Sequence, residues 1–157
     1  CNLNNLIKKK QKYYDLKDLE IFAKNISKDF AKGTIIFLKG ELGAGKTTLA
    51  RFLINSLYDL KKIDKPNSIK SPTFPILLTY DLLDFDIFHY DLYRISNNSE
   101  LNELNIEENI KESVTLIEWP EILLKSKFSY NFYLIELEMV SENKRILKIK
   151  FKNNINV

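Results

Sequence analysis

Gly40-Glu41-Leu42-Gly43-Ala44-Gly45-Lys46-Thr47 decides how the rest of the chain is read. It matches the phosphate-binding pattern G-x-x-x-x-G-K-[ST] in full. Before it, Thr34-Ile35-Ile36-Phe37-Leu38 reads as a buried strand, and after it Thr48-Leu49-Ala50-Arg51-Phe52-Leu53-Ile54 reads as a helix. Strand, loop and helix thus follow in the order that phosphate binding needs. The glycines let the backbone bring its N–H groups against phosphate oxygens at the positive end of the new helix. Lys46 then reaches the β- and γ-phosphates of a nucleotide, and the Thr47 hydroxyl sits on Mg²⁺. A turn that only joined a strand to a helix would need neither three glycines nor a Lys-Thr pair.

The 157 residues suggest a single domain, 1–157, and the 45% of hydrophobic residues can build a real core. The formal net charge of +3 is weak support for a polyanionic partner, and almost all the basic residues are lysines, the arginines being Arg51, Arg94 and Arg145. Abundant Lys, Asn and Ile read as a compositional habit of the source, so no nucleic-acid stripe is read into them. Lys8-Lys9-Lys10 reads as a solvated, flexible start, with contact to RNA or anionic lipid as the other reading. The only cysteine, Cys1, rules out an internal disulfide framework and agrees with a reducing, cytoplasmic compartment. A start at Cys instead of Met suggests truncation or processing; a mature lipoprotein also begins this way, but a nucleotide site needs cytoplasmic ATP. No apolar run is long enough to span a membrane.

From Asp15 to Phe30, Leu16, Leu19, Phe22, Ala23, Ile26 and Phe30 recur at helical steps, and Gly33 turns the chain into the loop strand. Leu49, Leu53, Leu57 and Leu60 continue the next helix to Lys61-Lys62. Ser71-Pro72-Thr73-Phe74-Pro75 is held stiff by two prolines; it reads equally as a segment whose Thr73 senses the γ-phosphate and as a rigid entry into a strand. Ile76 to Tyr80 and Ile87 to Tyr93 read as an antiparallel hairpin. The period of two puts Ile87, His89, Asp91 and Tyr93 on one face and Phe88, Tyr90, Leu92 and Arg94 on the other.

The only histidine thus shares a face with Asp91, either as a structural donor or holding a water or metal shell. Asp91 is the better functional candidate, because a carboxylate midway along an aromatic strand needs a cation or a hydrogen-bond partner. A short helix with Leu101, Leu104 and Ile110 inward follows Asn97-Asn98-Ser99. Val114 to Ile117 reads as a strand that ends in Glu118-Trp119-Pro120. Ligands of open α/β sheets bind beyond the carboxyl ends of the strands, which suits Glu118 to a Mg²⁺ contact, the other reading being a capping surface residue. Trp119 reads equally as a cover for the nucleotide, a partner contact or a core residue. Phe132 to Met139 and Arg145 to Phe151 read as a closing hairpin.

Together the loop, Ser71-Pro72-Thr73-Phe74, His89-Tyr90-Asp91-Leu92-Tyr93-Arg94 and Glu118-Trp119-Pro120, in this order and spacing, resemble the TsaE (YjeE) family over nearly the whole chain. The resemblance implies an α/β fold of the P-loop NTPase type, three-layered around a mixed, mainly parallel central sheet. It implies an ATPase that uses ATP and Mg²⁺ and supports the TsaB and TsaD proteins in forming threonylcarbamoyladenosine next to the anticodon of tRNAs that read codons starting with A, with tRNA met through that complex.

By similarity the catalytic residues are Lys46, Asp91 and Glu118. Leu42, Gly43, Ala44, Gly45, Lys46, Thr47, Thr48 and Trp119 hold the nucleotide, Thr47 and Glu118 hold the metal, and Asp91 orders the attacking water or the metal shell. The family often has a threonine where Leu19 stands. Two other classes share the loop: a small-molecule kinase, which also needs an acceptor pocket and usually an arginine-rich lid, and a nucleotide-dependent binding switch without meaningful turnover. Arg51 aimed away from the phosphates, Arg94 on the face opposite Asp91 and Arg145 far along the chain leave no good arginine in cis, so slow hydrolysis is expected of the protein without its partners.

Overall fold

The computed structural model describes residues 6–72 and 76–153, with side chains from Tyr14 onward. Its centre is a seven-stranded sheet in the order β1-β7-β6-β2-β5-β4-β3. The strand before the loop is β2 (Ile35–Lys39), and the helix after it is α2 (Lys46–Lys61). Around β2 the pairing is parallel, to β5 (Ser113–Glu118) on one side and β6 (Phe132–Ser141) on the other, and β5 pairs in parallel with β4 (Asp86–Asp91). Antiparallel partners close both ends: β3 (Leu77–Asp81) beside β4, and β7 (Lys144–Lys152) then β1 (Leu6–Tyr14) beside β6. The sheet is therefore mixed, with its parallel strands in the middle and a hairpin on each flank.

Helices cover the two faces and make three layers. On one, α1 (Leu16–Ser27) packs on α2, burying Leu19, Ala23, Leu49, Leu53, Ile54 and Leu57 against Ile36, Leu38, Leu116 and Ile135. The Asp15 carboxylate caps α1 by accepting from the Asp18 N–H at 2.9 Å. On the other face, α3 (Asn98–Glu103), α4 (Ile106–Ile110) and α5 (Glu121–Leu124) set Leu101, Ile106, Ile110 and Leu123 on Ile35, Phe37, Tyr90 and Ile117. β2 is buried from both sides because its apolar residues are consecutive, as a central parallel strand requires.

Several expectations need correction. Lys8-Lys9-Lys10 lies within β1, whose backbone pairs along β7 from Leu6 to Tyr14; a charged edge strand shows no apolar alternation to reveal it. Leu16 and Leu60, assigned to helix faces that point inward, are 65% and 48% exposed. The single helix after Asn97 is two, α3 and α4, because Asn105 takes a left-handed φ of 51° and breaks the run between them. β4 ends at Asp91, so alternation stops before Tyr93 and Arg94. Thr73, Phe74 and Pro75 lie outside the described residues.

Phe37 is fully buried and its ring lies 4.6 Å from that of Phe132 and 5.3 Å from that of Phe128. Phe37→Ala is expected to cost about 3–5 kcal/mol, since the neighbouring rings cannot collapse into the space. A urea titration should show a lower midpoint at an unchanged slope.

Candidate functional site

The site forms where the carboxyl ends of β2, β4 and β5 meet. Leu38 is in register with Glu118, and Asp91 with Glu118 on the other side, so the loop that follows β2 opens directly beside two carboxylates on neighbouring strands. Gly40 starts that loop at a φ of 156°, and a Cβ there would stand 2.5 Å from the Leu137 carbonyl oxygen, so β6 leaves no room for a side chain. Gly45 caps α2 in the left-handed region at a φ of 108°. From behind, the Tyr14 hydroxyl donates to the Ala44 carbonyl at 3.1 Å. Tyr14 is buried, and burial pushes its phenol up to about 12, against the pull of Arg145.

Lys46 is only 5% exposed. Its ammonium donates to the carbonyls of Gly40 and Glu41 at 2.6 and 2.8 Å and lies 4.3 Å from the centre of the Trp119 ring. Burial lowers its pKa, opposed by the carboxylates of Glu118, Asp91, Glu121 and Glu41. Thr47 donates its hydroxyl proton to Glu118 Oε1 at 2.8 Å, and His89 Nε2 lies 2.7 Å from Glu118 Oε2. His89 Nε2 is placed to donate to Glu118 Oε2, and His89 Nδ1 is buried with no hydrogen-bond partner among the described residues. Both oxygens of a 2% exposed Glu118 are thereby satisfied.

Asp91 is 8% exposed and accepts from the Tyr93 N–H at 2.9 Å. Burial raises its pKa, and Glu118 adds to this, while the Tyr93 N–H, His89 and Lys46 act the other way. The Asx turn made by this bond carries the chain out of β4 and brings Tyr93 and Arg94 to the same cavity, of about 330 Å³, that Lys46, Thr47, Asp91 and Glu118 line. Arg94 therefore does not lie on the far face. Leu42, Gly43, Gly45, Thr48, Ser71 and Trp119 complete the lining. Trp119 has a left-handed φ of 56°, and its ring packs on Tyr93 with centroids 4.8 Å apart.

A second cavity of about 520 Å³ lies on the α1 side of the loop, between Tyr14, Asp15, Leu19, Gly43, Ala44, Thr48 and Arg145. Arg145 thus comes to the loop despite its distance along the chain, although its guanidinium is held by the carbonyls of Ser141, Glu142 and Lys144. Arg51 donates instead to the Ile69 carbonyl at 2.8 Å. Tyr14 was not legible in the sequence as a site residue, and the only hint was its place just before the first helix. The His89–Glu118 pair was hidden because it needs the register of β4 on β5.

The donor set fits Mg²⁺. A hydroxyl and a carboxylate are hard oxygen ligands, and Mg²⁺ takes one or two of these with phosphate and water. Among the described residues no group of three or more His, Cys, Asp and Glu side chains forms an all-protein metal cage.

Residues 13–147 match the family model described as threonylcarbamoyl adenosine biosynthesis protein TsaE. The tRNA threonylcarbamoyladenosine biosynthesis protein TsaE of Rickettsia typhi is 36% identical over 87% of this chain and 91% of its own length. The protein of the same name from Aquifex aeolicus is 31% identical over 81% of this chain and 84% of its own. In fold, the chain is similar to the crystal structure of Bacillus subtilis YdiB, with a TM-score of 0.70 at 20% identity over 94% of this chain and 88% of that one.

Tyr14→Phe removes only the hydroxyl that holds the loop. It should lower stability by about 1 kcal/mol. It should also weaken nucleotide binding several-fold in a fluorescent-nucleotide titration while the far-ultraviolet circular dichroism stays the same.

Proposed function

The chain belongs to the TsaE family of threonylcarbamoyl adenosine biosynthesis proteins, and from that premise we propose that it is a Mg²⁺-dependent ATPase supporting the TsaB and TsaD proteins. The modification served is threonylcarbamoyladenosine, formed next to the anticodon of tRNAs that read codons starting with A. The observation that carries the ATPase reading is the Thr47–Glu118 hydrogen bond of 2.8 Å at the first turn of α2, beside Lys46. A hydroxyl and a carboxylate already meet where a nucleotide-bound cation would be held by both.

The backbone of Leu42 to Thr48 would cradle the phosphates, at the positive end of α2. Lys46 would exchange the Gly40 and Glu41 carbonyls for phosphate oxygens, a small movement from its present bonds. Mg²⁺ would neutralise phosphate charge when bound, held by Thr47 and Glu118. His89 keeps the Glu118 carboxylate turned toward Thr47. Asp91 would orient a water, being next to Glu118 by register and within the same cavity. Trp119 would close the phosphates off from solvent, and the larger cavity beside Tyr14 and Leu19 is the place for base and ribose.

Arg94 changes the expectation about rate. Slow hydrolysis in isolation would follow from the lack of an arginine in cis, but Arg94 lines the cavity with Lys46. It is the cis cation for charge developing on the transferred phosphoryl group. Dependence on partners then rests on the family role alone.

No membrane is involved in this reading; among the described residues no helix is long and apolar enough to cross one. A cytoplasmic location follows from the need for ATP and tRNA.

Lys46→Ala should keep the fold and slow phosphate release by roughly two to three decades. Glu118→Ala should raise the Mg²⁺ concentration needed for half-maximal activity. Near-normal hydrolysis in the first variant, or an unchanged Mg²⁺ titration in the second, would overturn the site assignment. Phosphate release measured with and without TsaB, TsaD and tRNA tests the partners, since equal rates count against coupling.

A further inference from the structure

We infer that the outer face of the β6–β7 ribbon, on the side of α3 to α5, binds the phosphate backbone of RNA directly. Lys148, Lys150 and Lys152 alternate along β7 and so stand on one face, about 7 Å apart. Their register partners on β6 are Glu136, Leu134 and Phe132, which places that face on the side of the helices α3 to α5. Lys39 at the end of β2 is in register with Glu136 and joins the row, and Lys144 continues it toward the hairpin turn. Against these lysines the face carries Glu136 and Glu138, and the ion pair within it among the described residues, Lys150 to Glu136, is long at 3.8 Å.

Two ordinary explanations account poorly for these lysines. Charged residues protect edge strands from pairing, but β7 lies between β1 and β6 and has no free edge. A lysine-rich composition would scatter lysines over the surface, and Lys is disfavoured in strands, yet here it occupies alternate positions of an interior strand. Of the apolar residues in these rows, Phe132 and Leu134 are buried and Ile146, between Lys144 and Lys148, is half-buried, so the face offers mainly fixed charge. That suits a polyphosphate backbone better than a lipid surface, where binding draws on buried apolar area as well. A cavity of about 340 Å³ at the outer side of the nucleotide loop borders the face, but Glu41, Glu136 and Glu138 line it beside Lys39 and Lys148, so the phosphate contacts are assigned to the row of lysines and not to that cavity. The inference is independent of the ATPase reading.

The test is fluorescence anisotropy with labelled unmodified tRNA, at several salt concentrations, on the wild type and on K148Q/K150Q/K152Q. The expected result is binding whose log–log salt slope is about −2 to −4 in the wild type and shallower by about 2 in the triple variant, with an affinity loss of roughly tenfold or more at low salt. A control, K24Q/K28Q/K62Q, removes equal charge from exposed lysines of α1 and the end of α2 and should bind as the wild type does. The single variant K152Q, at an exposed position, should give a smaller loss in the same direction and guards against a folding defect in the triple. Absence of tRNA binding at 50 mM salt, an equal loss in the control, or tighter lysine-dependent binding to phosphatidylglycerol vesicles than to tRNA would overturn the inference.

Discussion

A carboxylate buried at the end of a parallel strand is the constraint around which the site is arranged. Glu118 is almost inaccessible, and an ionised group placed there without partners would cost several kcal/mol. Thr47 and His89 satisfy its two oxygens, from the helix after the loop and from the adjoining strand. Each partner is fixed by something larger: Thr47 by the first turn of α2, His89 by the register of β4 on β5. A shift of one residue in that register would turn His89 to the other face. Site and sheet therefore stand or fall together.

The loop is held from the opposite flank by elements that carry no recognisable motif. Leu137 on β6 closes against Gly40, and Tyr14 at the end of β1 reaches the Ala44 carbonyl. The β6–β7–β1 ribbon thus serves as a backing for the nucleotide loop. The same ribbon presents its lysines to solvent on its other side, and so the two roles share one set of hydrogen-bonded strands without sharing side chains.

Charge in the cavity is balanced more fully than a count of arginines suggests. Lys46 lies among carboxylates that favour its charged form, while burial of Asp91 disfavours its charge. Arg94 joins them only because an Asx turn at Asp91 ends the strand two residues early for simple alternation. The left-handed backbone of Trp119 has a similar effect, since it turns the chain sharply after Glu118 and leaves the indole beside Tyr93 and Lys46.

What the sequence determined by itself was local. The glycine loop, the strand before it, the helix after it and both hairpins were legible, because each depends on residues adjacent in the chain: glycine dihedral freedom, helical spacing, alternation and turn residues. The motifs around Asp91 and Glu118 were legible as carboxylates at strand ends for the same reason. What only the tertiary structure decided was everything that depends on register or on chain direction after a strand ends. β1 is stabilised by its pairing with β7 and shows no apolar pattern of its own. His89 meets Glu118, and the lysines of β7 face the same way as Lys39, only once strands far apart in sequence are aligned. Arg94 reaches the cavity through a side-chain-to-backbone bond that alternation cannot foresee. These contacts form between segments that the chain brings together only on folding, and the energy that selects them comes from burial and hydrogen bonding across the sheet.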